Sequence, residues 1–210
     1  GESDKSVMDY SVSSLADFLA HFLDALGPDW QHVSLVGHSL GGAIALAFAQ
    51  KYPERVEKLV LVDSAGLGPE IDAAVLDLMR SEPTPESIQG ELTRFFAQPG
   101  MAQQSLVNQV YQQRTAPGAH AALRSTLEAA FGGNQQSMDL RPALASFSNP
   151  ALIVWGDVDS VIPVTHTEEV KRGEHGQQSR VEVFASCGHC PHIERSDAFN
   201  DMVTSFLASA

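Results

Sequence analysis

A serine flanked by glycines is the first feature of this sequence that could do chemistry. The residues Gly37-His38-Ser39-Leu40-Gly41 follow an apolar run, 32–36, and open an alanine-rich segment, 42–50. This order predicts a strand, a sharp turn and a helix, which is the context that a G-x-S-x-G nucleophile elbow requires. We expect Gly37, Gly41 and Gly42 to provide the room that so tight a turn needs. Ser39 is therefore the candidate nucleophile, at the start of a helix whose dipole favours negative charge.

A serine hydroxyl becomes a nucleophile when a base accepts its proton and an acid orients that base. Two loops that follow predicted strands offer such groups. The first, 156–163, carries Asp157 and Asp159, and the second, 186–189, ends in His189. Nucleophile, acid and histidine then occur in the chain order typical of this kind of elbow.

The choice of base lies between two histidines. His189 follows a glycine directly after a predicted strand, whereas His192 comes three residues later. We predict His189 as the base. His38, inside the elbow, is interpreted as a packing residue or as a neighbour of the oxyanion.

The segment Cys187-Gly188-His189-Cys190 has the C-x-x-C spacing of disulfide oxidoreductases. In a thioredoxin-like fold this motif comes early, but here only twenty residues follow Cys190. A metal site that also used His192 would have suitable atoms but lacks the second ligand pair of a closed site. The pattern favours a loop of small residues that presents His189, with neither a cofactor nor a metal.

Composition excludes several classes of function. The chain has 210 residues, of which 43% are hydrophobic and 19% are charged, and its formal net charge is −13. Nucleic acids and anionic membranes need a basic face, so we expect neither as a partner. No apolar run approaches the length of a membrane span and no secretory signal precedes the fold, which predicts a cytoplasmic location.

Strands and helices alternate along most of the chain. Apolar residues recur at helical spacing over 11–26, and four runs have the character of strands, of which 58–62 is a continuous apolar run typical of a strand covered on both faces. Alternation of this kind predicts an α/β fold with a doubly wound, mostly parallel sheet. The predicted strands are 32–37, 58–62, 151–155 and 180–184, and further helices are predicted over 39–51, 164–172 and 196–208.

One stretch, 68–147, breaks this alternation. It contains no convincing strand, only helical patches separated by prolines and glycines. We predict a helical cap over 68–147, inserted into a core formed by 1–67 and 148–210. A helical insertion at the carboxyl edge of such a sheet would roof the site there.

Four segments together resemble the α/β-hydrolase superfamily with a helical cap. They are 36–42 (VGHSLGG), 52–56 (YPERV), 155–163 (WGDVDSVIP) and Gly188-His189 with Glu194. The resemblance covers essentially the whole chain and implies the α/β-hydrolase fold. The family's G-x-x-D-x-x-x-P pattern implies Asp159 as the acid, with Asp157 as the alternative, and its other positions fall on Ser39 and His189.

A narrower resemblance starts at 62–71, which reads VDSAGLGPEI, and extends into the cap. It is similar to the hydrolase-like domain of acetoin dehydrogenase acyltransferase subunits, which implies acyl transfer between a lipoyl thiol and coenzyme A within a multienzyme complex. It is also similar to C–C bond hydrolases of ring-cleavage products. No residue separates these alternatives.

The start of the chain departs from the family pattern. Gly1-Glu2-Ser3 resembles the end of a G-x-S segment that follows the family's fourth strand. We therefore expect the early strands and one oxyanion donor to be absent, as in a truncated or proteolysed chain or a gene fragment. The backbone N–H of Leu40 is the remaining oxyanion donor, and apolar strand edges are expected to be exposed.

The sequence therefore predicts a serine hydrolase that uses Ser39, Asp159 and His189 on a small or medium ester, thioester or related carbonyl substrate. Acyl transfer and C–C bond hydrolysis are the alternatives within the family. A hydrolase-fold scaffold without catalysis is the alternative outside the enzymes. A homo-oligomer and a multienzyme complex are both compatible with the sequence.

Overall fold

A four-stranded parallel sheet forms the centre of the protein in the computed structural model, which describes residues 3–5, 9–171 and 179–209. The strands lie side by side in chain order. Leu35 pairs with Leu59, and Leu61 pairs with Ile153. All four predicted strands are present, with bounds that differ by one or two residues, and the α/β fold class is confirmed. The strands are β1 (Val33–His38), β2 (Val56–Val62), β3 (Ala151–Gly156) and β4 (Ser179–Phe184).

Ten α-helices surround this sheet in the described residues, and short 3₁₀ turns precede two of them, α5 and α8, as well as the strands β1 and β2. The predicted helix over 164–172 is a 3₁₀ turn, Val164–Thr167, followed by one turn of α-helix, and residue 172 lies outside the described residues. The helices are α1 (Val12–Leu26), α2 (Leu40–Lys51), α3 (Ala73–Arg80), α4 (Pro85–Phe95), α5 (Gln104–Thr115), α6 (Ala119–Ala130), α7 (Arg141–Ser146), α8 (Glu168–Lys171), α9 (Pro191–Glu194) and α10 (Ser196–Ala208).

Helices cover both faces of the central strands. Helices α1 and α2 pack together over the face that carries Leu59, Leu61 and Ile153. Helix α10 covers the opposite face, where Phe199 packs against Val60 and its neighbours. Because β3 is buried at every position, its run of apolar side chains has no polar alternation.

Five helices, α3 to α7, connect β2 to β3. Residues 68–147 contain no strand, only an isolated antiparallel bridge between Glu70 and Gln135. The last of these helices, α7, packs against α2 and so contacts the core. The helical character of the stretch agrees with the sequence, whereas the division into a core and a cap stays a prediction.

Strand β1 forms one edge of the sheet and exposes apolar surface. Val36 is 51% exposed, and Phe18 and Phe22 of α1 are also exposed. The expectation of an exposed apolar strand edge therefore agrees with the structure. Gly1 and Glu2 lie outside the described residues, so the interpretation of 1–3 stays a prediction. Within the described ranges, no helix has both the length and the apolar character needed to cross a bilayer.

Candidate active site

Ser39 occupies the tip of a sharp turn between β1 and α2. Its φ of 54° and ψ of −122° lie in a region that L-residues rarely adopt. Two backbone hydrogen bonds hold it there, because its N–H donates to the Val62 carbonyl (2.9 Å) and its carbonyl accepts from Ala65 N–H (3.0 Å). The loop after β2 therefore supports the strained backbone of the elbow.

The glycines of the elbow differ in how much space surrounds them. A Cβ on Gly37 would lie 2.6 Å from the Gly41 carbonyl carbon, and a Cβ on Gly42 would lie 2.7 Å from the Ser64 Cβ. Both positions therefore require glycine. A Cβ on Gly41 would meet no atom within 4 Å. The expectation that Gly41 provides room for the turn was therefore wrong, because a Cβ at this position would point into open space.

His189 and Asp159 form a buried pair at the same edge of the sheet. The Nδ1–H of His189 donates to Asp159 Oδ2 at 2.8 Å, and the two side chains are 2% and 0% exposed. Asp159 Oδ1 accepts from the backbone N–H groups of Val161 (2.8 Å) and Ile162 (3.1 Å). Three donors thus fix this carboxylate, and the Nε2 of His189 is left for proton transfer.

The alternative acid, Asp157, is exposed and has a different hydrogen-bond partner. Its Oδ1 accepts from the backbone N–H of Cys187 at 3.2 Å, so it links the loops after β3 and β4. Of the two aspartates that the sequence left open, the structure brings Asp159 to His189.

The loop that carries His189 is held from the helical region and from α9. The backbone N–H of His189 donates to the Phe95 carbonyl at 2.8 Å, at the end of α4. Glu194 accepts from the N–H groups of Gly188 (2.9 Å), Cys190 (3.3 Å) and Ala97 (2.8 Å). This role of Glu194 was not predicted, although the residue is part of the recognised motif.

A cavity of about 90 Å³ separates the elbow from the helical region. Ser39, Leu40 and His189 lie on one wall, and Thr126 is its other polar residue among those described. Leu40 is the first residue of α2, so its N–H has no acceptor within the helix. The remaining lining is apolar: Ile71, Val75, Leu76, Met79, Phe95, Leu123, Leu127, Phe131 and Val161.

His38 packs beside the candidate base. Its ring centroid lies 4.8 Å from that of His189 and 4.7 Å from that of His192. Because a carbonyl can only accept, His38 Nε2–H donates to the His189 carbonyl at 2.7 Å. Burial, with a further contribution from the neighbouring His189, lowers the pKa of His38 to about 3. His38 is thus a neutral packing residue, one of the two roles that the sequence offered for it.

His192, the alternative base, has no acid partner at its Nδ1 among the described residues. Its Nδ1 is buried without a hydrogen bond in the part of the chain that the structure describes, and its ring also packs on Phe199. Burial lowers the pKa of His192, and His189 lowers it further. Among the described residues, no carboxylate binds the Nδ1 of this ring as Asp159 binds the Nδ1 of His189.

The two cysteines are free, buried thiols. Burial raises the pKa of Cys187 to about 12, with a further contribution from Glu194, and it also raises the pKa of Cys190. Since the thiolate is the reactive form, neither residue is poised for thiol exchange. This environment favours the interpretation of 187–190 as a loop that presents His189.

Asp63 is a third acidic residue at this edge, and no role was predicted for it from the sequence. It directly follows β2, is fully buried and has a φ of 44°. Its Oδ1 accepts from Gly156 N–H at 3.0 Å, whereas its Oδ2 has no partner among the described residues. Burial raises the pKa of Asp63 well above its usual range, and the charge of Asp159 raises it further. An aspartate directly after an apolar strand was the available signal.

The strained backbone of the described residues is concentrated at this edge. Ser39, Asp63 and Ser186 are the non-glycine residues with positive φ there, and they follow β1, β2 and β4. Strain of this kind persists where the surrounding structure determines the conformation, often at functional sites. The backbone therefore marks the same region as the side-chain geometry.

The chain belongs to the α/β hydrolase fold family, whose model matches residues 1–196. The dihydrolipoyllysine-residue acetyltransferase component of the acetoin cleaving system from Cupriavidus necator is 28% identical over 99% of this chain and 54% of that protein. The chain thus spans about half the length of that relative.

Two hydrolases from Pseudomonas are also similar. The 2-hydroxy-6-oxo-2,4-heptadienoate hydrolase of Pseudomonas putida is 31% identical over 95% of this chain and 71% of that protein. A solved meta-cleavage product hydrolase from Pseudomonas fluorescens superposes with a TM-score of 0.87 and 26% identity, covering 99% of this chain and 75% of that one. The family resemblance that the sequence predicted is therefore confirmed.

Proposed function

We propose that this chain is a serine hydrolase in which Ser39 attacks a carbonyl carbon and forms an acyl-enzyme. The observation that carries the proposal is the 2.8 Å hydrogen bond between Asp159 and His189, because it joins two fully buried side chains beside the cavity that Ser39 also lines. A buried carboxylate is the group that holds an imidazole in the tautomer needed for general base catalysis.

The proton follows a closed path in this mechanism. His189 Nε2 accepts the Ser39 proton as the Oγ–carbon bond forms, and Asp159 stabilises the imidazolium. The imidazolium then gives this proton to the departing alkoxide or thiolate, which leaves the acyl group on Ser39. In the second half, His189 accepts a proton from water, the hydroxide attacks the acyl carbon, and the proton returns to Ser39 Oγ.

Developing negative charge on the carbonyl oxygen needs donors near Ser39. The Leu40 N–H, at the first position of α2, supports this role, and the positive end of the helix dipole adds to it. We expect a second backbone N–H donor to complete the oxyanion hole beside Leu40.

The cavity favours a small, uncharged acyl group. Its walls are mostly apolar, and the described lining residues include no lysine or arginine. A carboxylate on the acyl side would therefore be desolvated without a cation to pair with it, which is costly. This chemistry supports an ester or thioester of a small apolar acid over a carboxylated dienoate.

Acyl transfer is the second candidate function. The relative from the acetoin cleaving system is named an acetyltransferase component and is similar over 99% of this chain. An acetyl group fits the small cavity, and the same acyl-enzyme would be resolved by a thiol instead of water. A role within a multienzyme complex belongs to this candidate.

Labelling with a fluorophosphonate, read by intact mass, tests the proposed nucleophile and base. We expect one adduct on the complete gene product, no adduct on Ser39→Ala or His189→Ala, and ester turnover reduced about 10⁶-fold in Ser39→Ala. Ser160→Ala is the matched control, because Ser160 lies at the same sheet edge but is exposed and donates to the Arg94 carbonyl. An adduct that persists in Ser39→Ala would contradict the proposal.

The same preparation separates hydrolysis from acyl transfer and from a scaffold. With acetyl-coenzyme A, a hydrolase releases acetate at a rate that dihydrolipoamide does not change, whereas a transferase forms acetyl-dihydrolipoamide. A folded protein that takes up no label and turns over neither substrate would favour the scaffold without catalysis.

A further inference from the structure

The carboxyl group of Asp63 lies against the candidate acid and base but is not needed by the proposed mechanism. One oxygen of Asp63, one oxygen of Asp159 and one ring nitrogen of His189 all lie within 4.8 Å of one another, and all three residues are buried. Two carboxyl groups and one imidazole therefore share a small volume that excludes water.

The hydrogen-bond pattern shows what each carboxyl group can do. Asp159 accepts three N–H groups, two on Oδ1 and one on Oδ2. Two carboxylate oxygens offer about four acceptor positions, so one position remains on Oδ2. Asp63 Oδ1 accepts from Gly156, while Asp63 Oδ2 is buried without an acceptor bond in the described ranges.

A carboxyl group can share a hydrogen bond with a carboxylate only when it carries a proton. An ionised Asp63 would leave Oδ2 unpartnered and bury a second negative charge beside Asp159, which is costly. A protonated Asp63 instead has an O–H to donate, and one of its oxygens lies within 4.8 Å of an oxygen of Asp159. We propose that Asp63 is a protonated positioning residue whose Oδ2–H donates to Asp159 and holds that carboxylate against His189.

The groups that face Asp63 favour the protonated form. The carboxylates of Asp159 and Glu194 act on it from the loop after β3 and from α9, and both oppose a second negative charge. The thiols of Cys187 and Cys190 are neutral, and no lysine or arginine of the described residues pairs with Asp63. The imidazole of His189 is already paired with Asp159.

A protonated Asp63 has a consequence for the base. The two carboxyl groups together carry a single negative charge, so the imidazolium that forms on His189 meets one counter-charge. The inferred effect on turnover rests on the proposed function, whereas the protonation of Asp63 can be measured in an inactive protein.

Infrared difference spectroscopy on the complete gene product at neutral pH tests the protonation. We expect wild type minus Asp63→Asn to contain the carbonyl stretch of a protonated carboxyl group, and wild type minus Asp157→Asn to lack it. Asp157 is the matched control because it lies at the same edge but is exposed. Absence of the band from the first difference spectrum overturns the proposal. A thermal midpoint that rises on addition of Zn²⁺ in wild type but not in Asp63→Asn also overturns it, because it would make the cluster a cation site with both aspartates ionised.

Turnover tests the positioning. We expect kcat to fall about tenfold in Asp63→Ala with KM unchanged, and Asp63→Asn to recover most of this loss, because its amide still donates to Asp159. Asp63→Ala with wild-type kcat overturns the proposal. If that variant does not fold, the infrared band and the kcat of Asp63→Asn still test the proposal.

The acid limb of the pH–rate profile adds a readout that a merely structural role would not move. If Asp63 is neutral, Asp63→Asn leaves the charge near the base unchanged and the limb stays in place. If Asp63 were ionised, its removal would make the imidazolium less favourable and shift the limb to lower pH, which overturns the proposal. Failure of the proposed function appears separately, as absence of fluorophosphonate labelling in a protein that still shows the band.

Discussion

The loops after β2 and β3 each place a buried aspartate at the same edge of the sheet, but their surroundings differ. Asp159, after β3, accepts two backbone N–H groups and the His189 ring N–H. Asp63, after β2, accepts one backbone N–H and leaves an oxygen without an acceptor bond among the described residues. The two aspartates therefore occupy equivalent positions at strand ends, but Asp159 accepts more hydrogen bonds than Asp63 does.

That difference decides which aspartate can act as the acid. Donors that point at a carboxylate stabilise its charged form, whereas burial without donors favours the neutral form. In the turn 159–162 the chain folds back, so that the backbone N–H groups of Val161 and Ile162 donate to the carboxylate of Asp159. The loop after β2 instead uses its backbone to hold Ser39, through Val62 and Ala65. The loop that supports the nucleophile thus has fewer donors for its own aspartate.

The largest effect that would test this comparison is expected for Asp159→Asn. The amide oxygen can still accept from Val161 and Ile162, but the amide N–H₂ would face His189 Nδ1 and favour the wrong tautomer. We expect kcat to fall about 10⁴-fold, the typical cost of that error in serine hydrolase chemistry. Steady-state kinetics on the same ester measures it, with Asp63→Asn as the matched control. A larger loss in Asp63→Asn than in Asp159→Asn would reverse the two roles.

A smaller test concerns the pH dependence of stability. Because the pKa of Asp63 is raised in the folded protein, the folded state binds more protons than the unfolded state above the ordinary pKa. The free energy of unfolding therefore falls as the pH rises from the ordinary pKa towards the raised one. Asp63→Asn removes this contribution, so its stability relative to wild type should increase between about pH 4.5 and about pH 7.5.

Urea unfolding at both pH values measures this relative stability. Asp157→Asn serves as the control, since an exposed aspartate should give a difference that does not change with pH. A relative stability of Asp63→Asn that decreases as the pH rises would show that Asp63 is ionised in the folded protein.

The smallest effect is expected for Asp157→Asn itself. The amide oxygen can still accept from Cys187 N–H, so the link between the loops after β3 and β4 is kept. We expect kcat within about twofold of wild type and a change in the free energy of unfolding below about 0.5 kcal/mol, as is usual for exposed positions. A loss comparable to that of Asp159→Asn would mean that the acid was assigned to the wrong aspartate.

Several parts of the fold could be predicted because they depend on local patterns. The central strands β2 and β3 contain continuous apolar runs, and the run 58–62 needs no knowledge of its neighbours to be recognised as buried. The elbow was local at Gly37, where a Cβ would meet the backbone of Gly41, whereas a Cβ on Gly42 would meet Ser64 in the loop after β2. Gly41 is the exception, since only the direction of its Cα–Cβ bond shows that no atom lies there.

Other parts depended on contacts between distant segments. Glu194 holds the backbone of Ala97, almost a hundred residues earlier, and no local pattern connects the two. Asp63 was overlooked for the same reason, because its importance comes from Asp159 and His189, which arrive from two other strand ends. The proposed site therefore depends on loops that only the packed sheet brings together.

The sequence by itself determined the order of the candidate catalytic residues along the chain: an elbow with Ser39, then a loop with two aspartates, then a glycine and His189. Periodicity, glycine placement and family motifs are properties of short segments, so they can be recognised without a structure. The tertiary structure alone decided which aspartate meets His189, which lacks donors, and how the cavity is lined. Those outcomes follow from burial and hydrogen-bond direction, which arise only when the sheet and the helices above it pack against each other.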